Sequence, residues 1–405
     1  MKTRLPFVFI LMTLVIDAMG VGLIMPVMPD LIRGVQGGNL SQAAVWGGLL
    51  AASFAVMQFL FSPVIGNLSD RFGRRPVLLI SLAVMAIDYV IMAIAGSIWL
   101  LLAGRIIGGI TAATQSTAAA FIADISEPEK KATNFGLMSA AFGVGFVLGP
   151  MIGGLLSTFG PRAPFVAAAL LAGVNFAFGY FVLPETVTDR IRRPFDIKRA
   201  NPFGAFKHIG RLPGLKILIL IFFLYQLAFF TYPAVWSYFT QERFDWSPRM
   251  VGLSLASFGV SMAIVQGGLI RIILPKLGEY RTLVLGLGIN LLAFLAIGLI
   301  PIGWVILILT PLTAIGALAG PALQGIMSRA ADDNQQGELQ GLLGSVGSIA
   351  VILSPLIMTR AFAFFGNRDA AIYLPGAPFL LSAVLMVFCL FITISSPPSP
   401  TEPPK

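Results

Sequence analysis

Charge is scarce in this chain: 27 Lys and Arg plus 18 Asp and Glu make up 11% of 405 residues, where soluble proteins carry about 25%. With 57% hydrophobic residues, too little polar sequence remains to coat a water-facing surface, which excludes a soluble globular protein. Cysteine and histidine occur once each, as Cys389 and His208. One thiol excludes a disulfide framework or a thiolate cluster, and one imidazole leaves little for a zinc or haem site, so no metal is expected. Neither a phosphate loop nor a nucleophile–base pair is present, which argues against an enzyme. The net charge of +9 fits the basic cytoplasmic loops of a membrane protein better than nucleic-acid binding, so the partners expected are the lipid bilayer and small solutes.

Apolar runs, by contrast, are abundant. Segments of about 20 residues suffice to cross a bilayer, and twelve are found, at 6–29, 45–66, 77–96, 98–121, 133–156, 163–183, 214–236, 249–271, 282–300, 303–325, 338–360 and 374–396. The basic N-terminal start looks like a signal peptide, but the apolar run continues through Asp17 to Pro29 without a small-residue cleavage site and reads as the first span. If the N-terminus is cytoplasmic, that side carries 20 Lys and Arg and the other side 6. The excess predicts a multi-pass inner-membrane protein with both termini cytoplasmic.

The loop 184–213 is the only long one and divides the chain into an N-terminal six-helix half (1–183) and a C-terminal six-helix half (214–396). It mixes basic residues with Pro and aromatics, which suits an amphipathic helix on the inner leaflet. Residues 397–405 form a Pro-rich tail expected to be disordered. A weak internal repeat supports the division: GNLSDRFGRRP (66–76) and RIILPKLGEYR (271–281) occupy equivalent loops, with Gly73 and Gly278 separated by 205 residues.

Ionisable groups at membrane depth are costly and ask for a reason. Asp17 and Asp88 each fall near the middle of a span, and Arg105 lies within the fourth. A carboxyl group in a low-dielectric cavity exchanges its proton according to the side it faces, which is the chemistry of proton coupling. Pairing of either aspartate with Arg105, without a transport role, is the alternative. Gln58, Gln115, Gln226, Gln266, Asn290 and Gln324 mark a candidate substrate cavity, or else hydrogen bonds between helices. Tyr225, Tyr232, Trp236 and Tyr238 read as an interfacial aromatic belt.

The most specific motif is GNLSDRFGRRP. Gly66 and Gly73 permit a tight reversal, Asp70 can place a negative charge at a helix N-terminus, and Arg71, Arg74 and Arg75 can latch neighbouring helix ends. Asp124, ending the fourth span, is the expected arginine partner. This loop resembles the signature between helices 2 and 3 of the major facilitator superfamily, where it acts as a conformational latch. Arg105 to Ala113 resembles the helix 4 motif of the drug–proton antiporter branch. Gly145, Gly149, Pro150, Gly153 and Gly154 resemble its helix 5 antiporter motif; as plain packing, these glycines let two spans approach backbone to backbone.

Segments 16–31, 69–82, 86–90, 242–256, 321–328 and 336–345 are similar to tetracycline–proton antiporters. The resemblance implies an all-α bundle of twelve helices in two pseudo-symmetric halves that exports a drug or amphiphile, tetracycline-like by preference, against protons. No cofactor beyond the proton gradient is implied, and a monomer is expected. One departure stands out. The histidine of helix 8 and aspartate of helix 9 in those exporters fall near Met262 and Gly288 here, so coupling would rest on Asp17, Asp88 and Arg105. A facilitator or importer of a small metabolite, and a transport-inactive membrane sensor or scaffold, are the alternatives.

Overall fold

The computed structural model describes residues 4–112, 114–189, 192–196, 200–204, 206–207, 214–332, 335–368 and 370–395, and these fold as helices joined by turns. Internal contacts divide the chain into two units, Met1–Gly204 with Trp236–Ala256, and Ala205–Val235 with Ser257–Lys405.

The first unit begins with α1 (Arg4–Ile24) and the short α2 (Met28–Gln36). Pro29 sits in the first turn of α2, where its missing N–H costs no intrahelical bond. Next come α3 (Leu40–Phe72), α4 (Arg74–Ile94), α5 (Ile98–Thr111), α6 (Thr114–Ile125), α7 (Lys131–Leu156) and α8 (Ala163–Val182). Side-chain caps fix two of the starts: Asn39 accepts from Gln42 N at 2.9 Å, and Ser97 from Leu100 N at 3.3 Å.

In the second unit lie α9 (Lys216–Phe229), α12 (Ile270–Leu299), α13 (Gly303–Thr313), α14 (Ala319–Ala330), α15 (Gln336–Phe365) and α16 (Ala377–Ser395). Helices α10 (Thr231–Phe244) and α11 (Pro248–Ile264) pass from one unit to the other, and their residues 236–256 belong to the first. Ser237 Oγ donates to Met25 O at 2.7 Å there, and Gly252 packs on the Pro150 backbone.

Eleven described helical stretches are long and apolar enough to cross a membrane. One of them, Pro248–Leu299, has 52 residues, about twice the length one crossing needs. Gly278 breaks it with φ 74°. Twelve spans result, as the hydropathy predicts. Helix breaks repeat at the spacing that separates Gly73 from Gly278: Met25 and Phe230 interrupt the first and seventh spans, and Ala112 and the segment Ala314–Leu318 the fourth and tenth.

Several boundaries differ from expectation. The second span runs on to Phe72, so Gly66 lies inside α3 and Gly73 alone, with φ 113°, makes the reversal. Polar residues carry that helix outward without loss of its ladder; Ser69 Oγ answers Gly66 O at 2.8 Å. Over the described residues 183–189 and 192–196 the central loop is not helical. One side-chain and one backbone bond fasten it to α3 instead, from Asn67 Nδ2 to Asp196 O at 2.6 Å and from Arg193 N to Asp70 O at 3.3 Å. His208 and the tail 397–405 lie outside the described residues. The aromatic belt is also corrected. Tyr225, Tyr232, Trp236 and Tyr238 are all buried, Tyr232 stacking on Phe258 and Phe294 while Trp236 Nε1 donates to Ser254 Oγ.

The broadest helix–helix interface joins α1 to α7. Gly145, Gly149 and Gly153 recur every fourth residue along one face of α7, where an added Cβ would strike the backbone of Val15, of Met19 and of Leu23 in turn. Gly154, on another face, meets Pro248 and Gly252. Alanine ordinarily favours a helix over glycine by about 1 kcal/mol, and Gly143, facing open space on α7, should follow that rule. Gly149→Ala should instead destabilise, by about 1–3 kcal/mol as overpacking does. Unfolding temperatures of the two variants in detergent should therefore move in opposite directions.

Candidate functional site

A buried charge cluster occupies the first unit. Asp88 on α4 and Arg105 on α5 form an ion pair, their side chains 4% and 11% exposed. Its seat is made by glycine: a Cβ on Gly104 would stand 2.9 Å from Asp88 Oδ1, and one on Gly108 2.8 Å from Oδ2. The Arg105 guanidinium lies 5.2 Å above the Phe54 ring of α3, so the cation is held from its other side by a π face. Asp88 Oδ1 and Arg105 Nε are buried without a hydrogen-bond partner among the described residues.

Asp17 is not the partner of Arg105. Its carboxyl hydrogen-bonds the side chain of Thr114, the first residue of α6, and its Oδ1 is buried without a partner. Tyr89, beside Asp88 in sequence, is buried and sets its hydroxyl against Gly20, three residues past Asp17. The span interruption at Ala112 therefore delivers Thr114 to one carboxylate while the helix before it delivers Arg105 to the other. Gln58 Nε2 donates to Ala112 O at 3.0 Å and satisfies the carbonyl freed by that break.

The other amides divide. Asn290 is buried and donates to Gly286 O at 3.0 Å and Gly316 O at 2.7 Å, so it secures α12 against the interrupted tenth span. Gln115, Gln266 and Gln324 are exposed, Gln226 is half-buried, and Gln266 stands on a π-helical turn, Val265–Leu269.

At the latch, Arg74 pairs with Asp70 and with Asp124, its Nε 3.3 Å from Asp124 Oδ2, and Nη1 reaches Ser69 Oγ at 2.6 Å. Arg75 Nη2 donates to Tyr180 O at 2.7 Å. Arg71 lies over the neighbouring Phe72 ring, 5.0 Å away. Sequence reasoning missed Glu185, which caps the start of α4: Oε1 accepts from Arg74 N at 2.9 Å and Oε2 from Arg75 N at 3.3 Å. A carboxylate directly after the proline that ends α8 was the available signal. Elsewhere in the unit, a cavity of about 360 Å³ is lined by Val27, Asp30, Ser157, Thr158, Pro161, Ser247, Pro248 and Arg249. Burial raises the Asp30 carboxyl above the usual carboxylate range, and Arg33, 3.7 Å away, draws it partly back.

Comparison with known proteins shows the family. The profile of the Major Facilitator Superfamily matches residues 10–355. The chain is 42% identical over 390 residues to the tetracycline resistance protein, class C, of Escherichia coli, covering 96% of each. It is 39% identical over 378 residues to the class G protein of Vibrio anguillarum, covering 93% of each. Among solved structures, the human organic anion transporter MFSD10 (TETRAN) is similar with a TM-score of 0.69 at 26% identity, over 96% of this chain and 99% of that one.

Gly108→Ala should displace the Asp88 carboxylate from Arg105. In a double-mutant cycle with Arg105→Gln, the alanine should cost less once the arginine is gone, by the 0.5–3 kcal/mol or so that touching residues show. Additive unfolding free energies would separate Gly108 from the ion pair.

Proposed function

The chain belongs to the major facilitator superfamily, and on that premise we propose that it exports a tetracycline-class drug in exchange for protons by alternating access. It is a transporter and not an enzyme. The proposal rests above all on one observation: a carboxylate and a guanidinium are paired inside the membrane-spanning part of the first unit, short of hydrogen-bond partners, with a second carboxyl close by.

In this reading Asp88 and Asp17 take up protons from the outer side and release them inward. Protonation of Asp88 removes its hold on Arg105, and return of the charge restores it, so the helix pair α4–α5 has two states that differ by one proton. The residues near Met262 and Gly288 supply no acid, which leaves coupling to the first unit. Gln115, Gln226, Gln266 and Gln324 are the amides we assign to the substrate path. Two six-helix halves, joined by the loop 184–213 and with both termini cytoplasmic, complete the arrangement, in which Arg74 with Asp70, Asp124 and Glu185 latches one conformation. Of the antiporter motif, Gly145, Gly149, Pro150 and Gly153 hold α1 against α7 through the cycle, and Gly154 seats Pro248 and Gly252 on another face of α7. The carrier works as a monomer, without a cofactor.

Inverted inner-membrane vesicles test this. Respiration acidifies their lumen, so exchange should draw tetracycline inward, and nigericin, which collapses the pH difference, should abolish that uptake. Asp88→Asn should remove gradient-driven uptake while the protein remains in the membrane. Uptake indifferent to nigericin would favour a facilitator, and undiminished uptake by Asp88→Asn would overturn the role given to the pair.

A further inference from the structure

The spacing of 205 residues that relates Gly73 to Gly278 also relates Arg74 to Glu279 and Asp124 to Arg329. Both members of each pair touch. Arg74 Nε lies 3.3 Å from Asp124 Oδ2 in the first unit, and Arg329 Nε 3.0 Å from Glu279 Oε2 in the second, where a second guanidinium nitrogen meets Oε1. Corresponding ends of corresponding spans are joined, with the signs exchanged. The next residue follows suit, because Arg75 bonds a backbone carbonyl of α8 and Tyr280 one of α16, Thr393 O at 3.4 Å.

We propose that Glu279 and Arg329 form a second clamp, a charge-inverted copy of the latch, that positions the cytoplasmic ends of the ninth and tenth spans for the transport cycle. The pair is built rather than incidental. Glu279 is largely covered, and Gly325, one turn before Arg329, leaves room for its carboxylate, which a Cβ there would meet. Its polarity suits the helices: Glu279 opens the helical segment after Gly278, where a negative charge is favoured, and Arg329 stands in the last turn of α14, where a positive one is. The first unit has the opposite signs, with Arg74 opening α4 and Asp124 closing α6, and it places the Glu185 carboxylate on the exposed N–H groups of α4. At 390, the position 205 residues beyond Glu185, stands Leu. Glu279 thus serves as helix-end charge and clamp together.

This inference rests on the carrier reading, so the test has a readout that does not. Glu279→Gln, Glu279→Arg, Arg329→Glu and the swap Glu279→Arg/Arg329→Glu are compared for tetracycline uptake per unit of membrane-inserted protein, and for unfolding temperature in detergent. Each single change should lower Vmax about tenfold with KM unchanged, within the coupling that paired residues show, and the swap should recover a substantial part of the rate. Single variants at the unmodified rate, or a swap no better than its parents, would overturn the clamp. If the unmodified protein takes up no tetracycline, the exporter reading fails and the unfolding temperatures decide: a swap more stable than both singles supports the clamp, and one no more stable refutes it.

Discussion

A guanidinium and a carboxylate cannot remain apart at membrane depth, and much of the first unit is arranged around keeping Asp88 and Arg105 together. Two charges taken from water are stable only when close and well oriented. That requirement explains Gly104 and Gly108, which leave the Asp88 oxygens the space that side chains would fill. It explains Phe54, whose ring faces the cation. Two of the pair's own polar atoms, Asp88 Oδ1 and Arg105 Nε, have no hydrogen-bond partner among the described residues.

Backbone constraints come second and follow the same logic. Irregular backbone in a membrane must have its carbonyls answered by other groups. At the fourth span the answer to Ala112 O comes from Gln58, and at the tenth the answer to Gly316 O comes from Asn290. Both amides read from the sequence as candidate substrate contacts, and the structure employs each in holding an interrupted helix. Where a helix is continuous and must touch another, as α7 touches α1, glycines at every fourth residue do the work that side chains do elsewhere.

The number of spans was legible because hydropathy depends only on composition along about 20 residues. Asp17, Asp88 and Arg105 were legible because a charge in an apolar run is conspicuous, although their pairing was not: α4 and α5 had to be brought together before Asp88 could be preferred to Asp17. Helix ends were poorly legible. The polar residues Asn67 and Ser69 look like loop but continue α3, since Ser69 bonds back to Gly66 O and the linker binds Asn67. Tyr232 and Trp236 look interfacial near the end of an apolar run, yet both are buried after the break at Phe230, Tyr232 stacked on Phe258 and Phe294 and Trp236 bonded to Ser254. Glu185 was invisible for a different reason, as a capping carboxylate 111 residues from the N–H it serves has no local pattern.

An internal repeat that preserves geometry while altering chemistry has a physical consequence. The breaks at Met25 and Phe230, and at Ala112 and Ala314–Leu318, keep their spacing in both parts of the chain, so the backbone supplies two similar frameworks. Asp17 and Asp88 with Arg105 occupy one of them. In the other, the buried polar groups named among the described residues are hydroxyls, an amide and the Cys389 thiol: Thr231 bonds Ser382, Thr310 and Thr313 bond the backbone of α13, and Asn290 joins two helices. None of the hydroxyls, nor the amide, changes charge in the physiological range. In the proposed reading, a proton bound at Asp17 or Asp88 would change the energy of the first framework, while the hydroxyls and amide of the second would carry the same charge in both states.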